Sequence, residues 1–337
     1  MAVRNNNLKR VYNRLREETH ATRKIAKVTS WLDATYTLIA KIDIQIMNRN
    51  GYKEYPLFKR HLLRKHAVMM VYFEKQFSDF LKSYKPAPVA DDGNCRPRTI
   101  WVCWWQGEDS APEIVKRCLE SIRRNCPNYN VTVITEENYH DYVSFPKHIQ
   151  EKKEKGLITR THLSDMLRLE LLSRYGGVWL DSTFLCTDNR VEKLFETPLW
   201  TIKRPDYFHA SIASGYFAGY SLACDASNRR VFSVIRDLVY KYWEENDFMV
   251  DYLLFHYIIV LAQRHFSYVR EAFDRVIPNN PMCDELYKRL AAPYDERLWK
   301  ELKDDTSLFK LTWKMTAPET KHGKPTFYGA LLNGLLK

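Results

Sequence analysis

The 337-residue sequence holds only 11 glycines, too few for a collagen-like or low-complexity chain. Its seven cysteines are odd in number and scattered, without CxxC or Cys/His metal spacing. That argues against a disulfide-stapled secreted scaffold and fits a reducing, cytosolic setting. No apolar h-region follows Met1 and no run of about 18 apolar residues occurs, so neither signal-peptide export nor a membrane span is expected. Internal repeats are absent. What is there in quantity is apolar matter: 45% hydrophobic and 14% aromatic residues, enough for one large domain with an extension or for two small domains.

Charge is unevenly spread. Residues 1–90 carry 18 Lys and Arg against 7 Asp and Glu, while the whole chain carries 52 against 41. The entire +11 excess therefore lies in the first quarter. Such asymmetry points to an anionic partner for that segment, whether lipid headgroups, an acidic polymer or nucleic acid. Solvated basic helices covering the main domain are the plainer alternative.

Residues 1–84 read as helical. Leu8, Val11, Tyr12 and Leu15, then Ile25, Val28, Trp31 and Leu32, then Phe58, Leu62, Met69, Phe73, Phe77 and Phe80 recur at helical spacing. These stripes read as intramolecular packing surface. The basic flanks with Trp31, Tyr52 and Tyr55 also suit peripheral contact with an anionic membrane. Lys85 to Arg98, rich in Pro, Asp, Gly and Asn, reads as a linker. The boundary placed there gives a basic helical extension over 1–90 and a main domain over 91–337.

Thr99 to Trp105 is an apolar, β-branched and aromatic first strand ending in Gln106-Gly107. Ser110-Ala-Pro-Glu113 predicts a capping box, and the helix after it buries Ile114, Val115, Cys118, Leu119 and Ile122. Asn130 to Ile134 alternates toward a second strand. This strand–helix–strand start predicts a nucleotide-binding α/β domain. A helix over 157–175, a strand ending at Asp181, a further strand over 199–203, and helices over 228–245 and 248–265 follow.

Chemistry concentrates between Thr159 and Asp188. Asp165 and Arg168 stand three residues apart on one helix face, either a plain ion pair or a grip on sugar and phosphate. Gly176-Gly177 reads as a C-cap and tight turn. Asp181, followed by Ser182 and Thr183 at the carboxyl end of an apolar strand, suits a hydrated divalent cation carrying phosphates. Lys310, Lys314, Lys321, His322 and Lys324 form a C-terminal basic tract that suits phosphate. Asp251 reads either as helix N-terminal charge or as an acceptor-side carboxylate that positions a sugar hydroxyl.

The run SDMLRLELLSRYGGVWLD, with VCWWQG upstream, resembles the glycosyltransferase family that contains bacterial capsular polysaccharide synthesis proteins. Glucosylating domains of large clostridial toxins are its distant relatives. The resemblance is close over 97–190 and looser to the C-terminus. It implies a GT-A fold, a mostly parallel twisted sheet flanked by helices. It also implies a nucleotide-sugar donor (a UDP-sugar favoured), a divalent cation (Mn2+ or Mg2+) and transfer with retention. Carried over, Trp104, Trp105, Gln106 and Gly107 would cradle the donor base. Asp165, Arg168, Tyr175, Gly176 and Gly177 would surround its sugar and diphosphate, with Lys310, Lys314 and Lys324 on phosphate. Asp181 would be the catalytic first acid of an Asp-x-Asp motif. The sequence departs at the second acid, where Thr183 stands; Asp181, Thr183 and His322 would be the metal set.

The leading expectation is thus a cytoplasmic transferase, peripheral on the inner face of the plasma membrane. It would add sugar to a capsular or other surface-glycan precursor, its acceptor a lipid-linked saccharide. A non-catalytic glycan- or nucleotide-binding module is the alternative that Thr183 favours. Nucleic-acid binding is not expected, because the basic excess lies outside the main domain and no such motif accompanies it.

Overall fold

The computed structural model describes residues 16–86, 95–205, 207–315 and 317–336. The Leu8 to Leu15 pattern and most of the 85–98 linker lie outside the described residues. Helices α1 (16–28), α2 (Trp31–Arg49), α3 (Pro56–Gln76) and α4 (Ser78–Ser83) open the chain. Then come β1 (Thr99–Cys103), α5 (Glu113–Asn125), β2 (Asn130–Ile134), α6 (Lys147–Glu154), α7 (Arg160–Tyr175) and β3 (Gly177–Leu180). β4 (Phe184–Cys186), α8 (Arg190–Phe195), β5 (Leu199–Thr201), β6 (Ser221–Cys224) and α9 (Arg229–Glu245) follow. The chain closes with α10 (Leu254–His265), α11 (Ser267–Asp274), α12 (Glu296–Lys303), β7 (Leu308–Lys310), β8 (Thr320–Lys321), β9 (Lys324–Pro325) and α13 (Phe327–Leu332).

The central sheet has five strands in the order β2-β1-β3-β6-β5. β1 pairs parallel with β2 and β3, whereas β6 is antiparallel to both β3 and β5. Four strands therefore point one way and β6 alone runs back, the mostly parallel α/β sheet expected. Both faces are covered at the centre of the sheet, so β1 and β3 are buried and largely apolar, whereas the edge strand β2 alternates and is only partly buried. Trp101 and Trp179 face a core shared with α3, α7, α9 and α10. Ile100, Val102, Val178 and Leu180 face a second core built on α5 and the C-terminal elements.

α7 lies deep in the first core, with Leu163, Met166, Leu167, Leu169, Leu171 and Leu172 all buried. Truncating one such leucine to alanine costs about 2–5 kcal/mol. Thr159 caps the helix by accepting from the His162 amide, a contact worth about 1 kcal/mol. α3 joins the same core: the Phe73 ring lies 5.6 Å from that of Tyr257 and 6.3 Å from that of Tyr242.

Local expectations fail at three places. The Ser110 hydroxyl donates to the Gln106 and Gly107 carbonyls, closing the turn after β1, so no capping box forms and Pro112 is the N-cap of α5. α10 begins at Leu254, because the Asp251 carboxylate and carbonyl accept from the Leu253 and Leu254 amides and hold the preceding segment in a turn. β6 has no clear strand signal in the sequence. It is only four residues long and acquires its strand geometry from the pairing partners on either side.

Candidate active site

The parallel register of β1 and β3 pairs Trp101 with Trp179. Two residues on, Cys103 and Asp181 leave the sheet side by side at the carboxyl ends of parallel strands, where open α/β sheets bind ligands. A cavity of about 870 Å³ opens there, within the range of a nucleotide-sized site. One wall is the turn Trp104 to Gln106 and another is the first half of α7. The floor is Trp179 and Asp181 to Thr183, and the far wall is Lys310 to Lys314.

Asp181 is anchored. Its amide donates to the Tyr220 carbonyl at 3.0 Å, and its Oδ1 accepts from Trp179 Nε1 at 3.1 Å and from Arg168 Nη2 at 3.4 Å. The same Arg168 Nη2 lies 3.2 Å from Asp165 Oδ1, while Nη1 donates to the Gly219 carbonyl. The guanidinium is buried over the rings of Trp179 and Phe255, at 5.0 and 5.2 Å. Arg168 is therefore committed to protein acceptors. It ties α7, β3 and the loop before β6 together rather than presenting an open fork to phosphate. Asp165 is bound to Arg168 and, at 3.2 Å, to His162 Nδ1. It supports the site from behind Arg168.

Around the turn, Gly107 adopts φ +83°, and its amide donates to the Trp104 carbonyl. Trp105 is buried with its indole N–H on Ser164 Oγ at 2.9 Å. Trp104 lines the cavity, and its buried indole N–H has no protein acceptor. Gln106 is exposed at the rim. Burial pushes the Cys103 thiol, also on the cavity wall, up to about 12, so it is no nucleophile near neutrality.

The far wall is set by strand pairing. β7 runs antiparallel to β4 with Lys310 opposite Phe184, and the Leu311 amide donates to the Thr183 carbonyl at 2.8 Å. This register brings Lys310 Nζ to 2.6 Å from Thr183 Oγ1 and 3.7 Å from Asp181 Oδ2. Lys314 lines the same wall.

The side chains here do not fit a divalent cation. Such a cation takes several oxygen ligands and is favoured by more than one carboxylate. Asp181 is the lone carboxylate on the cavity wall. Its Oδ1 already serves Trp179 and Arg168, and the Thr183 hydroxyl accepts from an ammonium standing where the cation would sit. Among the described residues no three His, Cys, Asp or Glu side chains gather as a metal-binding group.

Several expected site residues lie elsewhere. Tyr175, Gly176 and Gly177 sit at the opposite end of β3 from Asp181, Gly177 about 13 Å away at a strand rise of about 3.3 Å per residue and the other two beyond it. The Tyr175 hydroxyl donates to the Tyr142 carbonyl. Gly176 caps α7 at φ +68°, and Gly177, at φ +85°, lies so close to the Thr99 carbonyl that a Cβ there would meet it at 2.6 Å. Asp251 is buried under the N-terminal helices, 3.0 Å from Lys65 Nζ and 3.8 Å from Lys41 Nζ. Burial alone would raise its pKa, but Lys65 and then Lys41 hold it below the usual carboxylate value. It belongs to a structural ion pair with Lys65 rather than positioning an acceptor hydroxyl. His322, at φ +52°, and Lys324 are exposed on the β8–β9 hairpin and do not line the cavity.

Tyr252 and Trp313 stand on the cavity wall, 72% and 48% exposed, and sequence reasoning misses both. Trp313 packs edge-on against Trp104 at 5.7 Å. Both are isolated aromatics in loops, where no periodicity marks them.

Known proteins similar to this chain include glycosyltransferases. A glycosyltransferase of Aspergillus fumigatus, afumC, is 33% identical over 30% of this chain and 27% of its own length. An O-glycosyltransferase of Annulohypoxylon truncatum, braB, is 29% identical over 28% of this chain and 24% of its own. The chain thus matches about a quarter of the length of these curated relatives. Among solved structures, the PaToxG glycosyltransferase aligns with a TM-score of 0.35 and 14% identity, covering 65% of this chain and 84% of that one. The capsular polysaccharide synthesis protein family matches residues 48–331, which takes in α3, the whole sheet and the cavity walls, and the chain belongs to that family.

Proposed function

We propose that this protein is a glycosyltransferase that takes a sugar from a nucleotide-sugar donor, a UDP-sugar favoured, and passes it with retention to a saccharide acceptor in surface-polysaccharide assembly. The observation that carries the reading is Asp181, anchored by Arg168 and Trp179 on the floor of a cavity large enough for a nucleoside diphosphate sugar. Family membership supports the same chemistry. In this reading the Trp104 to Gln106 turn receives the base, with the unpartnered Trp104 N–H as donor, and Tyr252 and Trp313 flank the ligand. Asp181 orders the ribose and sugar hydroxyls. Turnover of a panel of UDP- and GDP-sugars tests it: Asp181→Ala is expected to abolish hydrolysis and transfer. Unchanged turnover would sink the assignment, and saturable binding by the wild type without turnover would favour a binding module.

The acceptor is proposed to be lipid-linked, at the cytoplasmic face of an anionic membrane. Support comes from α2, where Trp31, Ile42 and Ile46 are 66%, 53% and 39% exposed on one helical face, within the basic first quarter. No helix among the described residues is long and apolar enough to cross a membrane. Sedimentation with anionic vesicles, but not with neutral vesicles or duplex DNA, is expected, and Trp31→Asp should weaken it.

A further inference from the structure

We propose that Lys310 takes the place of the divalent cation, so that the donor diphosphate is bound and released on protein ammonium groups alone. The inference rests on the nucleotide-sugar reading above and concerns how the same cavity neutralises its ligand.

Four observations converge on Lys310. Its Nζ is 2.6 Å from Thr183 Oγ1 and 3.7 Å from Asp181 Oδ2, bridging the two positions from which a strand-end acid pair would otherwise grip a metal. The contact is built into the fold rather than reached by a floppy side chain. β7 is locked to β4 with Lys310 opposite Phe184, the Lys310 amide donates to the Cys283 carbonyl, and the Leu311 amide donates to the Thr183 carbonyl. The ammonium also lies over the Phe184 and Tyr220 rings, at 5.9 and 5.8 Å, contacts that favour a cation at this point. Finally, the charges here are already balanced within the protein. Asp181 and Asp165 share Arg168, and Lys310 stands near Asp181 Oδ2, so two carboxylates meet two cations and no net negative charge is left to hold a metal. A divalent ion placed there would be repelled by an ammonium about 4 Å away.

The chemistry asks for what these groups supply. In the transfer step a bond forms between the acceptor hydroxyl oxygen and the anomeric carbon. The bond from that carbon to the β-phosphate oxygen breaks, with its electron pair leaving on the phosphate. The hydroxyl proton passes to solvent. The nucleoside diphosphate therefore gains negative charge as it departs, and Lys310 and Lys314 on the far wall can meet it with charge-assisted hydrogen bonds. This also explains the threonine at position 183. A second carboxylate there would hold Lys310 between two acids and away from the phosphate, whereas a hydroxyl orients the ammonium and leaves Asp181, at 3.7 Å, as its carboxylate neighbour.

The test is calorimetric binding of UDP and GDP, together with hydrolysis of UDP- and GDP-sugars, in EDTA and in Mn2+ or Mg2+. The wild type is expected to bind and turn over in EDTA within about threefold of its level with metal. Lys310→Ala should lose about ten- to hundredfold in affinity in EDTA, the worth of one charge-assisted contact, and Lys310→Arg should recover much of it. In Thr183→Asp/Lys310→Ala the acid pair is rebuilt without the ammonium, and binding should become dependent on Mn2+. Binding by the wild type only when Mn2+ or Mg2+ is present would overturn the proposal while leaving the transferase reading intact. Absence of any nucleotide binding, with or without metal, would overturn both. A far-UV circular dichroism melt of each variant separates loss of fold from loss of charge.

Discussion

Lys65 Nζ stands 3.0 Å from Asp251 Oδ2, and each side chain is only 2% exposed. The pair ties α3 to the segment that leads into α10. Removing one partner leaves a buried, uncompensated charge, which costs about 3–5 kcal/mol. Lys65→Met and Asp251→Asn should each destabilise by that order, read as a lower urea midpoint. Nucleotide affinity below the melting temperature should hold. A large fall in kcat with unchanged stability in Asp251→Asn would instead return this residue to the acceptor site.

Gly177 makes a similar distinction on the sheet. Its φ of +85° and the 2.6 Å approach of the Thr99 carbonyl to a built Cβ make alanine strained and crowded. Gly177→Ala should destabilise by roughly 1–3 kcal/mol, read as a lower melting temperature. The affinity for UDP of the folded fraction should be unchanged, because the glycine lies at the far end of β3 from the cavity.

Arg168 is a positioning residue, and its planar fork is what joins Gly219, Asp165 and Asp181. A lysine cannot reproduce that fork. Arg168→Lys is expected to lower kcat by about a hundredfold, the size of effect that misplacing a reacting group by an ångström produces. The KM for donor should shift far less, since the diphosphate is met from the Lys310 side. A rise in KM with kcat preserved would show that Arg168 binds phosphate directly.

Acid sensitivity follows from two buried imidazoles. His66 bonds Tyr257 Oη and the His209 carbonyl, His256 stacks on Phe217, and burial pushes both from 6.5 down to about 4. The unfolded chain takes up these protons near 6.5 and the folded chain only near 4. Stability is therefore complete above the upper value and falls as pH drops through that window, by up to about 3 kcal/mol per histidine. Urea midpoints measured across the window should decline toward acid, and His66→Gln should flatten the slope.

Trp313 tests the aromatic lip. It is 48% exposed, so Trp313→Ala should leave the melting temperature within about 1 °C, as surface changes do. UDP affinity should drop by about tenfold, the order expected for loss of one aromatic stacking contact.

Much of this architecture is legible in the chain itself. Thr99 to Cys103 reads as a buried strand because a parallel strand covered on both faces is apolar without alternation, and Asn130 to Ile134 reads as a strand from its alternation. The helix before Gly176-Gly177 is legible from its periodicity, and Asp181 from its place after an apolar strand. These signals are local: a few consecutive residues hold the whole message. Asp251 misleads because the same local logic sees an acid before an apolar helix and cannot see Lys65, which arrives from 186 residues earlier in the chain. Tyr175 and the two glycines mislead because neighbours in sequence need not be neighbours at the site: an extended strand carries its two ends to opposite edges of the sheet.

Asp181 and the interruption of its motif at Thr183 were determined by the sequence alone. What fills that interruption was decided by tertiary structure. Lys310 is 127 residues away, and only the antiparallel pairing of β7 with β4 sets its ammonium against the threonine hydroxyl. Strand register between distant segments is fixed by packing of both faces at once, and that information is spread over the whole core rather than written beside either residue.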